Sequence, residues 1–162
     1  MSAPRLDRVT PPTPGLEYLA RFEVELGEPL EVGEVGGGRR RIIPIAGGRF
    51  RGPRLSGRVL PGGADWQLVE AGGVARIDTR YALETDDGAP IFISTQGVRH
   101  GPPEVIAALA RGEWVDPARY YFRVAVRFET GAPGYEWLDR ALVVAAAVRL
   151  PAAVVYDAFL VT

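Results

Sequence analysis

The chain has no cysteine and only one histidine, His100, among its 162 residues. Without cysteine it has no disulfide, thiolate nucleophile or cysteine metal site, which excludes thiol redox chemistry. A single imidazole is too few for a histidine cluster that holds zinc or iron, and a serine triad would have to recruit His100. Nucleotide and flavin motifs are also missing from the sequence. We therefore expect no metal and no other cofactor.

The chain also lacks an excess of charge and a long apolar run. Its formal net charge of −1 gives no overall attraction to nucleic acid or anionic lipid. The longest apolar run, residues 141–148, is far shorter than the roughly 20 residues that span a bilayer, and no apolar signal segment follows the start. We expect a cytoplasmic protein with neither a nucleic-acid nor a membrane partner.

Length and turn residues indicate one all-β domain. A chain of 162 residues that is 47% hydrophobic can bury one well-packed core but is too short for two domains. Its 20 glycines and 14 prolines are spread along the whole chain, which favours short elements joined by many turns. The prolines in residues 1–15 predict a flexible leader. Residues 16–162 are then expected to form the single domain.

Alternating apolar and polar residues predict most of the strands. The pattern is clearest over 16–26, where apolar side chains recur at every second position. Proline followed by an early glutamate predicts one short helix, which begins at 102–103 and ends near Gly112. The total is roughly seven to nine strands, which suits a closed barrel or a sandwich. Glycines predict breaks at Gly47-Gly48 and Gly52-Pro53 within the second and third strands. The other predicted strands cover residues 39–45, 50–60, 74–85, 90–95, 120–130, 141–148 and 154–161.

The segment 141–148 is apolar on both faces of its predicted strand. The outer face must then be covered by the leader, by the helix or by another subunit. A homo-oligomer is therefore one of the expected arrangements.

Several short motifs follow one another along most of the domain. They are Gly-Gly-Ala-Asp-Trp-Gln at 62–67, Arg-Tyr at 80–81, Glu-Thr-Asp-Asp-Gly at 84–88, Gly-Val-Arg-His-Gly-Pro-Pro at 97–103, Tyr-Tyr-Phe-Arg at 120–123, Phe-Glu-Thr-Gly at 128–131 and Tyr-Glu-Trp-Leu at 135–138. In this order they resemble the motifs of the DUF3237 (UPF0311) family, and the resemblance implies a small antiparallel β-barrel, similar to the calycin, allene oxide cyclase and dirigent barrels. Positions 124–126, Asp139 and 145–147 depart from the usual family residues, so the resemblance does not transfer a substrate.

Asp65, beside Trp66, is the first candidate for a catalytic group. An apolar neighbour raises the pKa of a carboxyl group, which suits it to proton transfer. Aspartate after glycines also commonly accepts hydrogen bonds from turn amides, so a purely structural role stays open. Trp66 is either an aromatic platform in the site or part of the core.

Charged side chains on two predicted strands have two interpretations. Arg80, Glu84, Arg123, Arg127 and Glu129 form either a lattice of solvated cross-strand ion pairs or, if that face turns inward, a polar site. An inward arginine needs a partner and would bind a substrate carboxylate or stabilise an enolate. Sequence alone does not decide which face is inside.

Aromatic residues are candidates for the wall of a pocket. Tyr81, Tyr120, Tyr121, Phe128 and Trp137 would line a site for a flat or oxygenated ligand, or else pack in the core. His100 follows a glycine-containing segment and is predicted to be a loop residue. The Gly-rich and Arg-rich run at 36–41 lacks a following helix, so we do not interpret it as a phosphate site.

These observations predict a cofactor-independent isomerase, cyclase or lyase that acts on a small organic molecule by acid–base chemistry in a barrel cavity. The alternative is a non-catalytic binding protein for a hydrophobic or aromatic metabolite, and a structural or oligomeric role is a third possibility. The predicted catalytic residues are Asp65, Arg80, Tyr121 and Arg123. The predicted substrate-binding residues are Trp66, Tyr81, Glu84, Tyr120, Phe128, Glu129 and Trp137.

Overall fold

The structure, a computed structural model, describes residues 3–162, which form ten strands, one α-helix and three short 3-10 turns. Within this range no helix has the length and apolar character needed to cross a membrane. The strands are β1 Leu16–Leu26, β2 Leu30–Val35, β3 Gly38–Arg51, β4 Ser56–Val59, β5 Ala64–Val69, β6 Ala75–Thr85, β7 Pro90–His100, β8 Tyr121–Glu129, β9 Val143–Arg149 and β10 Ala153–Val161, and the helix α1 is Pro103–Ala110.

Eight strand positions close into an antiparallel barrel. β1 pairs with β10 on one side and with β3 on the other, so the ring runs β1, β10, β9, β8, β7, β6, the position of β4 and β5, and β3. β4 and β5 share one position between β3 and β6, and β2 forms a hairpin with the start of β3. The predicted antiparallel barrel with one short helix is confirmed, and the sandwich is not formed.

Gly48 lies where β3 is hydrogen-bonded to strands on both sides. It pairs with Val24 of β1 and with Val59 of β4, and its φ is +133°. A Cβ atom at this position would collide with the carbonyl oxygen of Glu23. Glycine therefore allows β3 to bend at the corner where the barrel closes.

Strand alternation sets the inside of the barrel. On β6, residues 75, 77, 79, 81, 83 and 85 are buried, whereas Arg76 and Arg80 are exposed. On β8, residues 122, 124, 126 and 128 are buried and the residues between them are exposed. The inward side chains form one continuous core, because every strand of the closed ring contributes to it.

Some predicted boundaries differ from the structure. The break predicted at Gly52-Pro53 is present, since β3 ends at Arg51 and β4 begins at Ser56, whereas the break predicted at Gly47-Gly48 is absent, because β3 runs from Gly38 to Arg51. β7 extends beyond residue 95 to His100, so His100 is a strand residue rather than a loop residue, and its ring stacks on Tyr121 at 5.0 Å. Pairing with β8 continues through His100 and Tyr121, which accounts for the longer strand.

The ends of the chain meet on the outside of the barrel. Residues 3–15 of the predicted leader are exposed, and the backbone of Gly15 is hydrogen-bonded to that of Thr162. Residues 1 and 2 of that leader lie outside the described residues. On the outer face of β9 and just before it, Val144 and Leu142 are exposed, Leu142 by 73%. The homo-oligomer that would cover them stays a prediction.

Candidate functional site

A cavity lies inside the barrel, and all eight strand positions contribute to its wall. The cavity has a volume of about 50 Å³, which is room for a few water molecules, and it is open at one end. Most of the wall is aliphatic or aromatic. Only Leu26, Arg149 and Val154 among its residues are partly exposed, and they mark the open end of the cavity.

Asp65 is the carboxylate of this wall. It lies on β5, where alternation turns it inward, and its residue surface is only 7% exposed. Its Oδ2 accepts a hydrogen bond from Gln67 Nε2 at 3.1 Å, and its Oδ1 accepts one from the backbone amide of Asp78 at 3.0 Å. Burial raises the pKa of Asp65 above its ordinary value of 3.8, although these hydrogen bonds and the charge of Arg99 oppose the shift.

Two arginines belong to the same wall. Arg99, at the inner face of β7, is 9% exposed, and its guanidinium lies 5.7 Å from the ring of Phe122. Burial and the nearby Arg149 lower the pKa of Arg99 to about 10. Burial and Arg41 also lower the pKa of Arg149. Asp65 therefore shares its cavity with more positive than negative charge.

Neutral hydroxyl groups occupy the deeper part of the cavity. Tyr81 Oη and Tyr156 Oη are 2.6 Å apart, and Thr79 Oγ1 and Thr95 Oγ1 are also 2.6 Å apart. Burial raises the pKa of both tyrosines, so each carries its proton at neutral pH. Each pair supplies hydroxyl groups beside an otherwise apolar wall.

The structure brings some of the predicted site residues to the cavity or near it. Asp65 and Tyr81 line it. Tyr120 is buried, and its hydroxyl oxygen accepts a hydrogen bond from the amide of Arg149 at 3.0 Å. Phe128 lies deeper in the core, 6.3 Å from the ring of Phe22.

Other predicted residues lie outside the cavity. Arg80 and Glu84 alternate with the buried residues of β6, so both point away from the lumen, Arg80 to Asp78 at 3.4 Å and Glu84 to Arg58 at 3.0 Å. The half-buried Trp66 alternates with Asp65, and the guanidinium of Arg80 lies 5.8 Å from its ring. The solvated ion-pair interpretation is thus the one that fits this face of β6.

The exposed positions of β8 hold the remaining predicted groups. Tyr121, Arg123 and Glu129 alternate with the buried residues, and Arg123 lies over the ring of Tyr121 at 5.2 Å. Trp137, in the 3-10 turn Glu136–Arg140, is half-buried beneath the guanidinium of Arg54 at 3.9 Å. Strand parity directs Arg80, Tyr121 and Arg123 outward, so none of the three lines the cavity, contrary to what the sequence predicted for catalytic residues.

Sequence reasoning missed Arg99, Arg149, Gln67 and Tyr156. The sequence does contain a signal for Arg99, because Ile91, Ile93 and Thr95 are inward and the same parity continues to residue 99. Because the predicted strand ends at residue 95, the predicted inward alternation does not extend to Arg99. Arg149 likewise continues the inward series that begins at Val143.

Comparisons with known proteins agree with this architecture. A family model described as "Protein of unknown function (DUF3237)" matches residues 14–161. A UPF0311 protein from Rhodopseudomonas palustris is 46% identical over 147 residues, which are 90% of this chain and 96% of that protein. The chain is also similar to the crystal structure of a β-barrel-like protein from Acinetobacter baumannii, with 50% sequence identity and a TM-score of 0.85. The matched region covers 96% of this chain and 100% of the Acinetobacter chain.

A more distant relative has a named activity. The hydroalkoxylation enzyme phnH from Penicillium herquei is 26% identical over 129 residues, which are 80% of this chain and 71% of that enzyme. The crystal structure of an enzyme from the same organism is 21% identical and has a TM-score of 0.72. The matched region covers 95% of this chain and 98% of that enzyme's chain, so the two share a fold.

Proposed function

The chain belongs to the DUF3237 family, and from this premise we propose that it is a cofactor-independent enzyme that isomerises, cyclises or cleaves a small organic molecule by acid–base catalysis inside its barrel. The observation that carries the proposal is the position of Asp65 in the wall of a largely apolar cavity. A carboxyl group whose pKa is raised by burial takes up and releases a proton closer to neutral pH, as a general acid or base requires.

The other polar groups of the cavity support the same chemistry. Arg99 and Arg149 place positive charge where an enolate or another oxyanion develops. The paired hydroxyls of Tyr81 and Tyr156 offer a hydrogen-bond donor to a carbonyl oxygen. The chain contains no lysine, and His100 lies outside the residues that line the cavity. Asp65 is therefore the group in this wall best suited to carry a proton.

The distant relative's name indicates one reaction of this class. Hydroalkoxylation adds an O–H bond across a carbon–carbon double bond, and its intramolecular form converts a hydroxy-alkene into an isomeric cyclic ether. With a conjugated ketone, Asp65 would accept the hydroxyl proton as the oxygen bonds to the β-carbon. The π electrons then reach the ketone oxygen as an enolate that accepts a hydrogen bond from the paired hydroxyls of Tyr81 and Tyr156, and Asp65 returns the proton to the α-carbon. Atoms and electrons balance without an oxidant or reductant.

The apolar character of the wall favours a second candidate, a non-catalytic binding barrel for a hydrophobic metabolite. Such a protein needs the cavity but gains nothing from a carboxyl group of raised pKa. The two candidates therefore differ in what they require of Asp65.

A small test substrate separates the candidates. Ortho-hydroxyphenyl propenyl ketone closes to a methyl-substituted chromanone, slowly and as a racemate in buffer. We expect the protein to accelerate this closure and to give one enantiomer in excess, measured by chiral chromatography. Asp65→Asn should lose roughly a hundredfold or more of the rate, whereas Asp86→Asn, in an exposed turn, should keep it. Racemic product at the buffer rate with the native protein would favour the binding barrel.

A further inference from the structure

The open end of the cavity carries an excess of positive charge. Arg99 and Arg149 belong to its wall, and Arg41 lies close enough to both to affect their pKa values. Arg41 is itself engaged, since it donates to Glu31 Oε1 at 2.8 Å and to Gln67 Oε1 at 3.3 Å. The other two guanidinium groups therefore carry the uncompensated charge.

Arg99 has no hydrogen-bond partner for its buried Nε, and none of the side-chain hydrogen bonds within residues 3–162 involves its guanidinium. The residue is nevertheless deeply buried, because only 9% of its surface is exposed. A buried guanidinium without a protein partner is costly unless a group that enters the cavity satisfies it. Arg99 therefore offers free hydrogen-bond donors to whatever enters the cavity.

Asp65 does not serve as that partner. Both of its oxygens accept hydrogen bonds from other groups, Gln67 Nε2 and the amide of Asp78. Among the salt bridges of the described residues none joins Asp65 to Arg99, although the two charges are close enough to influence each other's pKa. The carboxyl group and the guanidinium thus face one cavity as separate functional groups.

Arg149, at the open end of the cavity, is also only weakly bound by the protein. Its guanidinium makes a single long hydrogen bond, from Nη1 to the carbonyl oxygen of Ala153 at 3.5 Å. Burial and, after it, repulsion by the positive charge of Arg149 lower the pKa of Arg99. A permanent anion relieves the repulsion as soon as it binds, before any proton moves.

We propose that the ligand of this cavity is a small monocarboxylate with an apolar body, whose carboxylate binds Arg99 and Arg149 at the open end while the apolar body packs against the barrel wall. This inference deepens the proposed function, because it names the substrate class of the same site. Val24, Ile45, Ile77 and Phe122 supply the apolar surface on which the body packs.

Benzoate and benzamide are the matched probes, since they share size and shape and differ in charge. In calorimetric titrations of the whole chain, benzoate should bind at least about tenfold more tightly than benzamide. Arg99→Gln should remove that preference, because it should weaken benzoate binding much more than benzamide binding, and Arg149→Gln should reduce the preference. Arg127→Gln, on the exposed face of β8, is the control and should bind as the native protein does.

Equal affinity for the two probes, or no benzoate binding in the millimolar range, would overturn this inference. The comparison on the native protein needs no variant, so a variant that fails to fold does not affect it. Asp65→Asn separates this inference from the proposed function. Preference for benzoate together with an Asp65-independent rate would leave an anion-binding barrel, whereas Asp65-dependent turnover without that preference would leave an enzyme for neutral substrates.

Discussion

The hydroxyl groups of Tyr81 and Tyr156 lie 2.6 Å apart inside the barrel, although the two residues are 75 positions apart in the chain. Tyr81 comes from β6 and Tyr156 from β10, which are not neighbours in the sheet, so this hydrogen bond crosses the lumen. The ring of Tyr156 also stacks on Phe22 at 4.8 Å. The pair therefore joins opposite walls beside the cavity.

Removing one hydroxyl of this pair should destabilise the protein more than removing both. Tyr81→Phe or Tyr156→Phe leaves a buried hydroxyl without its partner, which costs about 1–3 kcal/mol in the free energy of unfolding. The double variant leaves no unpaired group and should recover part of that loss. Urea denaturation measures these values, with Tyr121→Phe on the outer surface as the control. Additive losses would contradict the pairing.

Asp65 should make the free energy of unfolding fall as the pH rises. A carboxylate in a salt bridge has the opposite effect, because its pKa is lowered in the folded protein. The folded-state pKa of Asp65 is raised above 3.8, so between that value and the raised pKa the folded protein binds more protons than the unfolded chain. Stability from this group therefore falls as the pH rises through the window and is lowest above the folded-state pKa.

Two measurements check this expectation. Carbon NMR titration of the carboxyl groups should give Asp65 a pKa above 3.8 and Asp157, which is bonded to Arg21, a pKa below 3.8. In urea denaturation, acidification from about pH 7 to pH 4 should raise the stability of the native protein relative to Asp65→Asn. A constant difference between the two proteins over that range would show that the Asp65 pKa is not shifted.

Replacing Arg99 should increase stability and remove anion binding together. Arg99→Met exchanges a buried guanidinium, whose Nε has no partner, for an apolar side chain of similar length. We expect the free energy of unfolding to rise by about 1 kcal/mol or more, while the preference for benzoate disappears. Arg21→Met, which breaks the exposed ion pair with Asp157, is the comparison and should lose about 1 kcal/mol or less. Destabilisation by Arg99→Met would mean that its charge is satisfied within the protein.

Gly48 should tolerate no side chain. Its φ of +133° and the adjacent carbonyl oxygen of Glu23 both oppose a Cβ atom, so Gly48→Ala should destabilise the barrel by more than about 1 kcal/mol. A Cβ atom at Gly131 would meet no other atom within 4 Å, so Gly131→Ala is the control and should stay near the native stability. Thermal unfolding of the two variants tests the difference.

Period-two patterns are enough to predict most of the strands, because each inward strand face is apolar along most of its length, whereas the choice of a barrel over a sandwich comes from the family resemblance. The series in β8 follows its predicted alternation, and the helix begins at the predicted prolines. In β1 the predicted alternation holds only from Ala20 onward, because a register shift between Tyr18 and Ala20 exposes Tyr18 and buries Leu19. The break between β3 and β4 is predicted by Gly52-Pro53, and there the chain turns back so that the two strands pair with each other. The continuity of β3 through Gly47-Gly48 is harder to predict, because both glycines have positive φ values within a paired strand.

The site is less predictable from sequence than the fold. The prediction that Asp65 and Tyr81 are cavity residues is correct, whereas Arg80 and Arg123, candidates for the interior, share the parity of exposed positions. A local pattern shows which residues share a face but does not show which face closes around the lumen. Closure through the β1–β3 pairing decides this, and that contact joins distant parts of the chain.

The most direct test of proton transfer by Asp65 is the cyclisation of ortho-hydroxyphenyl propenyl ketone in deuterium oxide, followed by NMR of the chromanone product. The native protein should deliver deuterium to one face of the α-carbon, because a fixed carboxyl group returns the proton from one side of the cavity. Asp65→Asn should give the slow, unselective incorporation seen in buffer. Stereospecific incorporation at an undiminished rate by Asp65→Asn would contradict the account.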